Sequence, residues 1–194
     1  MSFNRIAMIA RWKPVHLGQA AVLHAMSKQA GRVIIGVGST NRYNARNPFT
    51  FEETEAMLRL VLDEISPAQE SAEYAIIAIP DLDDGPRWRA MVKAMFGELD
   101  AFVTDNPYVA NLMKDDYRLM RPVEFLSPSE FIKVDGTAVR VMMAKGQGWQ
   151  AWVPERVAGY IEENGLDVRF RKEFGLETLA MQVVDGGWWV VNGG

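Results

Sequence analysis

The chain has no cysteine, and that absence excludes disulfides, thiolate metal sites and a cysteine nucleophile. It also lacks any Lys/Arg-rich block. Acidic and basic residues are interspersed and the net charge is -4, so no groove for a nucleic-acid backbone is expected. No apolar run approaches transmembrane length and the N-terminus has no signal-peptide layout, so the expected location is the cytoplasm, with no membrane partner. Internal repeats and low-complexity segments are missing too. What is present suits a packed core: 48% apolar and 24% charged residues over 194 positions, the length of one ordinary domain.

Short apolar runs alternate with helical patterns. Ile6–Ala10, Val33–Val37, Tyr74–Ile79 and Ala101–Val103 read as strands buried on both faces. Between them, helices are expected from Leu17 to Gly31, from Thr50 to about Ile65 and from Arg87 to Phe96, with another from Asn106-Pro107 to Met113. Thr50 with Glu53 has the spacing of a capping box. Later helices are expected from Gly136-Thr137 and from Pro154 to Asn164-Gly165. This order predicts an α/β fold, a Rossmann-like doubly wound parallel sheet with helices on both faces. The body is expected over residues 1–165. A C-terminal extension over 166–194 reads as a β-hairpin, with strands Leu179–Val184 and Trp188–Val191 around Asp185-Gly186-Gly187. Its adjacent tryptophans need covering, by the chain's own body or by another subunit, and a homo-oligomer is expected.

In doubly wound sheets ligands bind beyond the carboxyl ends of the strands. The loops at 11–19, 39–48, 80–88 and 104–108 therefore carry the candidates. The first reads Arg11-Trp12-Lys13-Pro14-Val15-His16-Leu17-Gly18-Gln19. It leaves a strand and enters a helix whose free N–H groups attract phosphate. Arg11 and Lys13 add positive charge, His16 a donor, and Gly18 room for close backbone approach. A histidine alone before a helix is more often a cap than a catalyst; the combination favours phosphate. Gly36-x-Gly38 lacks the third glycine of a dinucleotide fingerprint, with Asn41 in its place, and is read as tight strand packing. Asp81, Asp83 and Asp84 read as a solvated loop rather than a metal site, and no metal-ligating residue is assigned. His24 reads as packing or surface. Trp88 and Trp12 are the tryptophans considered for ligand contact.

Arg-x-x-Pro-x-His-x-Gly-x after the first strand resembles the signature loop of the nucleotidyltransferase superfamily, whose usual form ends His-x-Gly-His. Five further segments sharpen the resemblance toward the archaeal-type nicotinamide-nucleotide adenylyltransferases: Ile35–Ser39, Arg46-Asn47-Pro48-Phe49-Thr50, Asp81 with Trp88, Asn106-Pro107-Tyr108-Val109, and Gly136-Thr137-Ala138-Val139-Arg140. The resemblance spans roughly residues 5–165. It implies a nucleotidyltransferase-type sheet and transfer of AMP from ATP to the phosphate of a mononucleotide, with pyrophosphate leaving with Mg²⁺. The implied catalytic set is His16, Lys13 and Arg140. Arg11, Gly18, Gln19 and Thr137 are implied at the ATP phosphates, with Arg140 beside Thr137. Arg46 is implied at the acceptor phosphate, Trp88 stacked on the acceptor base, and Asp81 and Asn106 at sugar or base edges.

The chain also departs from the family pattern. Gln19 stands where the second histidine is usual, and an amide cannot carry positive charge. Losing a charge-assisted donor at a transition-state phosphate costs ~3 kcal/mol. Lys13 replaces a glutamine and restores a charge on the same loop. Asp135 replaces a serine near the expected phosphate site, Val141, Met142 and Met143 stand where arginines often follow, and Gly85 replaces an asparagine. The alternatives left open are a nucleotide-binding sensor or assembly protein of the same fold, and a transferase using another nucleotide or acceptor.

Overall fold

A computed structural model describes residues 2–65 and 72–184 of the chain. Five strands, β1 (Phe3–Ala10), β2 (Ala30–Gly38), β3 (Glu73–Ile79), β4 (Ala101–Val103) and β5 (Leu119–Met120), form one sheet in the order β3-β2-β1-β4-β5. Every pairing is parallel. Strand order reverses between β1 and β4, the position where such sheets open a crevice. The two-residue β5 is too short to show a pattern in the sequence.

The strands are apolar beyond their first few residues because both sheet faces are covered. Ile6 and Met8 of β1, Val33, Ile35 and Val37 of β2, and Ala101 and Val103 of β4 face one core. That core is completed by helices α1 (Leu17–Gln29), α2 (Phe51–Ile65), α5 (Gly136–Lys145), α6 (Glu155–Glu163) and α7 (Leu166–Val184). The alternate residues Ala7, Ile34, Ile79 and Phe102 face the other way, onto Val92 and Phe96 of α3 (Gly85–Phe96) and Met113 of α4 (Pro107–Met113). Period-two alternation thus sorts the side chains between two helical layers. No helix among the described residues is long and apolar enough to cross a membrane.

The capping box at the start of α2 is formed. Thr50 N–H donates to Glu53 Oε2 at 2.9 Å and Glu53 N–H to Thr50 Oγ1 at 3.2 Å. Gly31 lies inside β2, and α1 ends at Gln29. The expected terminal hairpin is corrected over its described half: Leu179–Val184 is the end of the 19-residue α7. The proposed turn and second strand lie outside the described residues. Leu166 and Phe170 anchor α7 in the main core and Thr178 is buried on the same stripe. A helix beginning at Leu166 reaches these positions at i, i+4 and i+12.

Gly36 is needed for packing. A Cβ there would lie 2.7 Å from Ile9 Cγ1 and 3.1 Å from Phe96 Cζ. Gly36→Ala is expected to lower stability by about 1–3 kcal/mol through overpacking between β1, β2 and α3. Urea unfolding is the measurement, and an unchanged midpoint would show slack at this crossing.

Candidate active site

Beyond the carboxyl ends of β1 and β4 lies a cleft of about 690 Å³. Four helices that begin around it start with a side-chain cap: His16 on α1, Asp84 on α3, Asn106 on α4 and Asp135 on α5. Parallel strands followed by helices bring these N-termini to one end of the sheet.

Of the residues singled out in the sequence, Arg11, His16, Gly18, Gln19, Asp81, Trp88 and Asn106 line the cleft. Lys13, Arg46, Thr137 and Arg140 are not in its wall. Lys13 is buried, and its Nζ donates to Ser39 O at 3.3 Å. Arg140 is buried too, donating from Nη1 to Lys13 O at 3.0 Å and from Nη2 to Thr137 Oγ1 at 3.2 Å. It supports the first loop from below. Arg46 and Thr137 are exposed.

Electrostatics nevertheless bring these cations together. Burial lowers the Arg140 guanidinium to about 10, and the charges of Arg11 and Arg46 push in the same direction, while Asp135 opposes them. Burial likewise brings Lys13 down to about 8, against the pull of Asp81 and with a further push from Arg11. Among the described residues, none of Arg11, Lys13, Arg46 and Arg140 has a carboxylate within ion-pairing distance. Four cations from three segments thus lie near enough to influence one another's charge, without an ion pair among the described residues.

His16 is fixed by a reciprocal cap. Gln19 N–H donates to His16 Nδ1 at 3.3 Å, and His16 N–H donates to Gln19 Oε1 at 3.3 Å. A ring nitrogen that accepts is bare, so in the neutral ring the proton sits on Nε2. Burial holds His16 down at about 4, with Asp135 opposing and Arg140 reinforcing. His16 is therefore a neutral donor at physiological pH. Gln19 supplies half of the cap and keeps its amide N–H groups available.

Asp135 Oδ1 accepts from Thr137 N–H at 2.8 Å and Ala138 N–H at 2.9 Å, so the start of α5 already holds a negative group. Asn106 Oδ1 accepts from Tyr108 N–H at 3.0 Å and Val109 N–H at 3.3 Å, leaving its amide nitrogen as donor. Two loops are tied together by Asn41, whose side chain pairs with the Asp81 backbone at 2.9 and 2.8 Å. Arg42 pairs with Asp83, and Asp84 caps α3, so this acidic run is structural. Gly18 is tight, with a Cβ there 3.0 Å from Ile132 O. Trp88 is half-buried in the cleft wall, whereas Trp12 is fully buried and donates from Nε1 to Gly36 O at 2.9 Å. Trp12 is therefore a core residue. The sequence reading missed Phe131 and Ile132, exposed apolar residues in the cleft wall. Their signal was an apolar pair within an irregular stretch.

Comparison with known proteins places this geometry. The nicotinamide-nucleotide adenylyltransferase of Thermococcus onnurineus is 33% identical over 163 residues, covering 82% of this chain and 83% of the relative. The chain belongs to the nicotinamide-nucleotide adenylyltransferase family. Family members from Pyrococcus furiosus, 32% identical over 162 residues, and Thermoplasma volcanium, 29% over 161, each cover 82% of this chain, and it spans 84% and 86% of them. No family model matches the chain. Among solved structures, a bifunctional NMN adenylyltransferase/ADP ribose pyrophosphatase from Francisella tularensis, complexed with AMP and a Mn ion, superposes with a TM-score of 0.67 at 15% identity. It covers 96% of this chain, and this chain spans 57% of its length. A Plasmodium falciparum nicotinic acid mononucleotide adenylyltransferase gives a TM-score of 0.54 at 12% identity, covering 85% of this chain and 97% of its own. These two likenesses establish the shared nucleotidyltransferase fold.

The cap separates two roles of His16. His16→Asn keeps a good N-cap but loses the Nε2 donor, so turnover is expected to fall about a hundredfold with little loss of stability. His16→Ala loses the cap as well, about 1 kcal/mol more. The folded pKa, about 4, lies below the ordinary 6.5. The associated stability is thus complete above pH 6.5 and lost as pH falls toward 4, on the order of 3 kcal/mol. Urea titrations of parent and His16→Asn at pH 7.5 and 4.5 measure it. Equal pH dependence in both proteins would place the buried titration elsewhere.

Proposed function

We propose that the cleft transfers AMP from ATP to the phosphate of a nicotinamide-type mononucleotide. An acceptor phosphate oxygen forms the new bond to the α-phosphorus. The bond from that phosphorus to the β-phosphate breaks, and pyrophosphate leaves. The supporting observation is the gathering of Arg11, Lys13, Arg46 and Arg140 without an ion pair among the described residues, beside a neutral His16 donor at the N-terminus of α1.

Such a site works by alignment and charge stabilisation, and needs no covalent nucleophile. In this reading His16 Nε2–H, the Gln19 amide and Arg11 meet the triphosphate. Arg140 and Lys13 act from beneath as fixed positive charges. Arg46 meets the acceptor phosphate, Trp88 stacks on the acceptor base, and Asp81 and Asn106 hold sugar or base edges. The Asp135 cap leaves Thr137 a smaller part, since the α5 N–H groups it would share with a phosphate are taken. The described residues include no cluster of three or more metal-ligating side chains. In this proposal a divalent ion, Mg²⁺, enters with the triphosphate as part of the substrate. The cytoplasm is the proposed location.

Pyrophosphate release with ATP and nicotinamide mononucleotide tests the reading directly. No release with any nucleotide or acceptor, from folded protein, would refute it. Trp88→Ala is expected to raise the acceptor KM by roughly 5- to 100-fold and leave the ATP KM nearly unchanged, from ~1–3 kcal/mol of stacking. Equal changes in both would make Trp88 structural.

Lys13 gives the site a pH dependence. Its folded pKa, about 8, is below the ordinary 10.5, so the ammonium is charged below pH 8 and neutral above it. The ATP KM is expected to rise between pH 7.5 and 9 in the parent. In Lys13→Gln it should be high and flat. A parallel rise in both proteins would exclude Lys13 as its source.

A further inference from the structure

The loop that presents Arg46 has little regular structure of its own, yet positioning a guanidinium against a phosphate requires a fixed backbone. Within the loop, Asn44 Oδ1 accepts from Arg46 N–H, Asn47 N–H and Asn47 Nδ2, at 3.0, 3.0 and 3.1 Å. This shapes the tip but does not anchor it to the body. Beyond the buried Ala45 and Phe49, polar anchors come from α7, more than a hundred residues away in sequence. Arg169 donates from Nη1 to Glu53 Oε1 at 2.5 Å and from Nη2 to Glu53 Oε2 at 2.7 Å. The same Nη2 donates to Pro48 O at 3.1 Å, two residues beyond Arg46. On the other side of the tip, Tyr43 donates its hydroxyl to Glu173 and meets Phe174 edge-on at 5.1 Å. The Arg169 guanidinium also lies 5.9 Å from the Tyr43 ring centre.

We infer that Arg169 is a positioning residue for Arg46, and that α7 clasps the Arg46 loop from both sides so that its guanidinium is held for the acceptor phosphate. The role of Arg46 in this inference rests on the reading under Proposed function. Glu53 already accepts from Thr50 N–H in the cap of α2, so Arg169 joins that helix start, the loop backbone and α7 at one point. A bidentate guanidinium does this where an ammonium cannot. Phe170, the next residue, is fixed in the main core, which makes α7 a rigid support.

Three readouts test the clasp. Hydrogen exchange of the 43–48 amides in the unliganded protein should quicken at least tenfold in Arg169→Ala, since local protection depends on the anchors. Calorimetric Kd and steady-state KM for nicotinamide mononucleotide should both rise about tenfold, with the ATP KM within twofold. In an Arg46→Ala background, Arg169→Ala should add less than twofold, because the charge it positions is gone. Arg169→Lys should fall between the parent and Arg169→Ala. If Arg169→Ala does not fold, Tyr43→Phe removes one hydroxyl from the clasp and should show the same pattern at smaller size. Unchanged exchange, equal effects on both substrates, or fully multiplicative effects with Arg46→Ala would each overturn the inference. Parent protein that neither binds nor adenylylates the mononucleotide would overturn the functional reading and this inference with it. Working parent enzyme with an unaffected Arg169→Ala would overturn the clasp alone.

Discussion

Arg140 and the carbonyl of Lys13 are 127 positions apart in the chain, and the hydrogen bond between them holds the first loop in place. The guanidinium is buried, with no carboxylate within ion-pairing distance among the described residues. A charge in that position is costly unless its hydrogen bonds are made and a counter-ion can arrive. Lys13 O and Thr137 Oγ1 supply the hydrogen bonds. A phosphate is the natural counter-ion, and a field already set before the substrate arrives needs no reorganisation during the reaction. Gly136 belongs to the same arrangement, since a Cβ there would come within 3.1 Å of Arg140 Nη1.

The second constraint is the competition for helix N-termini. A bare N-terminus attracts anions, yet α1, α3, α4 and α5 each begin with a side-chain cap. The caps differ in what they leave over. Aspartates 84 and 135 place negative charge at the helix start. Asn106 and His16 accept backbone N–H groups through one atom and keep a donor on another. In the proposed reading, phosphate binding is thereby directed to the His16 end of the cleft and away from Asp135. The acceptor side, with Asn106 and Trp88, is left for neutral hydrogen bonding and stacking.

Much of this was legible from residues alone. The strand runs, the Thr50–Glu53 cap, the packing role of Gly36 and the loops that meet at the cleft follow from period, spacing and loop position, which are local properties. What was not legible depends on where an element's inner face meets a distant segment. The family motif implies Arg140 as a phosphate ligand, and nothing local shows that this face meets Lys13 O. Leu179–Val184 reads as a strand because Val183 and Val184 are β-branched. The helix that includes it is set by Leu166 and Phe170, a dozen residues earlier. His16 was read as a donor to phosphate, and is also a buried helix cap. The motif alone does not distinguish a histidine that waits for phosphate from one that also closes a helix.

The departure at Gln19 can be understood from these parts together. A histidine there would add a second titratable ring beside the phosphates, charged only at acidic pH. The amide instead completes the cap through Oε1, which accepts from the His16 backbone N–H, while the Gln19 backbone N–H donates to Nδ1 and leaves the ring proton on Nε2. The positive charge is supplied by Lys13, on the same loop but beneath it. Its ammonium stays charged up to about pH 8, above the range in which a histidine has already lost its proton. In the proposed reading the loop thus separates two tasks: orientation of the donor by an uncharged pair, and neutralisation of phosphate by a buried cation. The buried cation is compatible with the fold only because Ser39 O accepts from it and Asp81 lies close enough to favour its charge. Asp81 is itself held through Asn41, so the second and third loops of the sheet favour the charged form of Lys13 on the first.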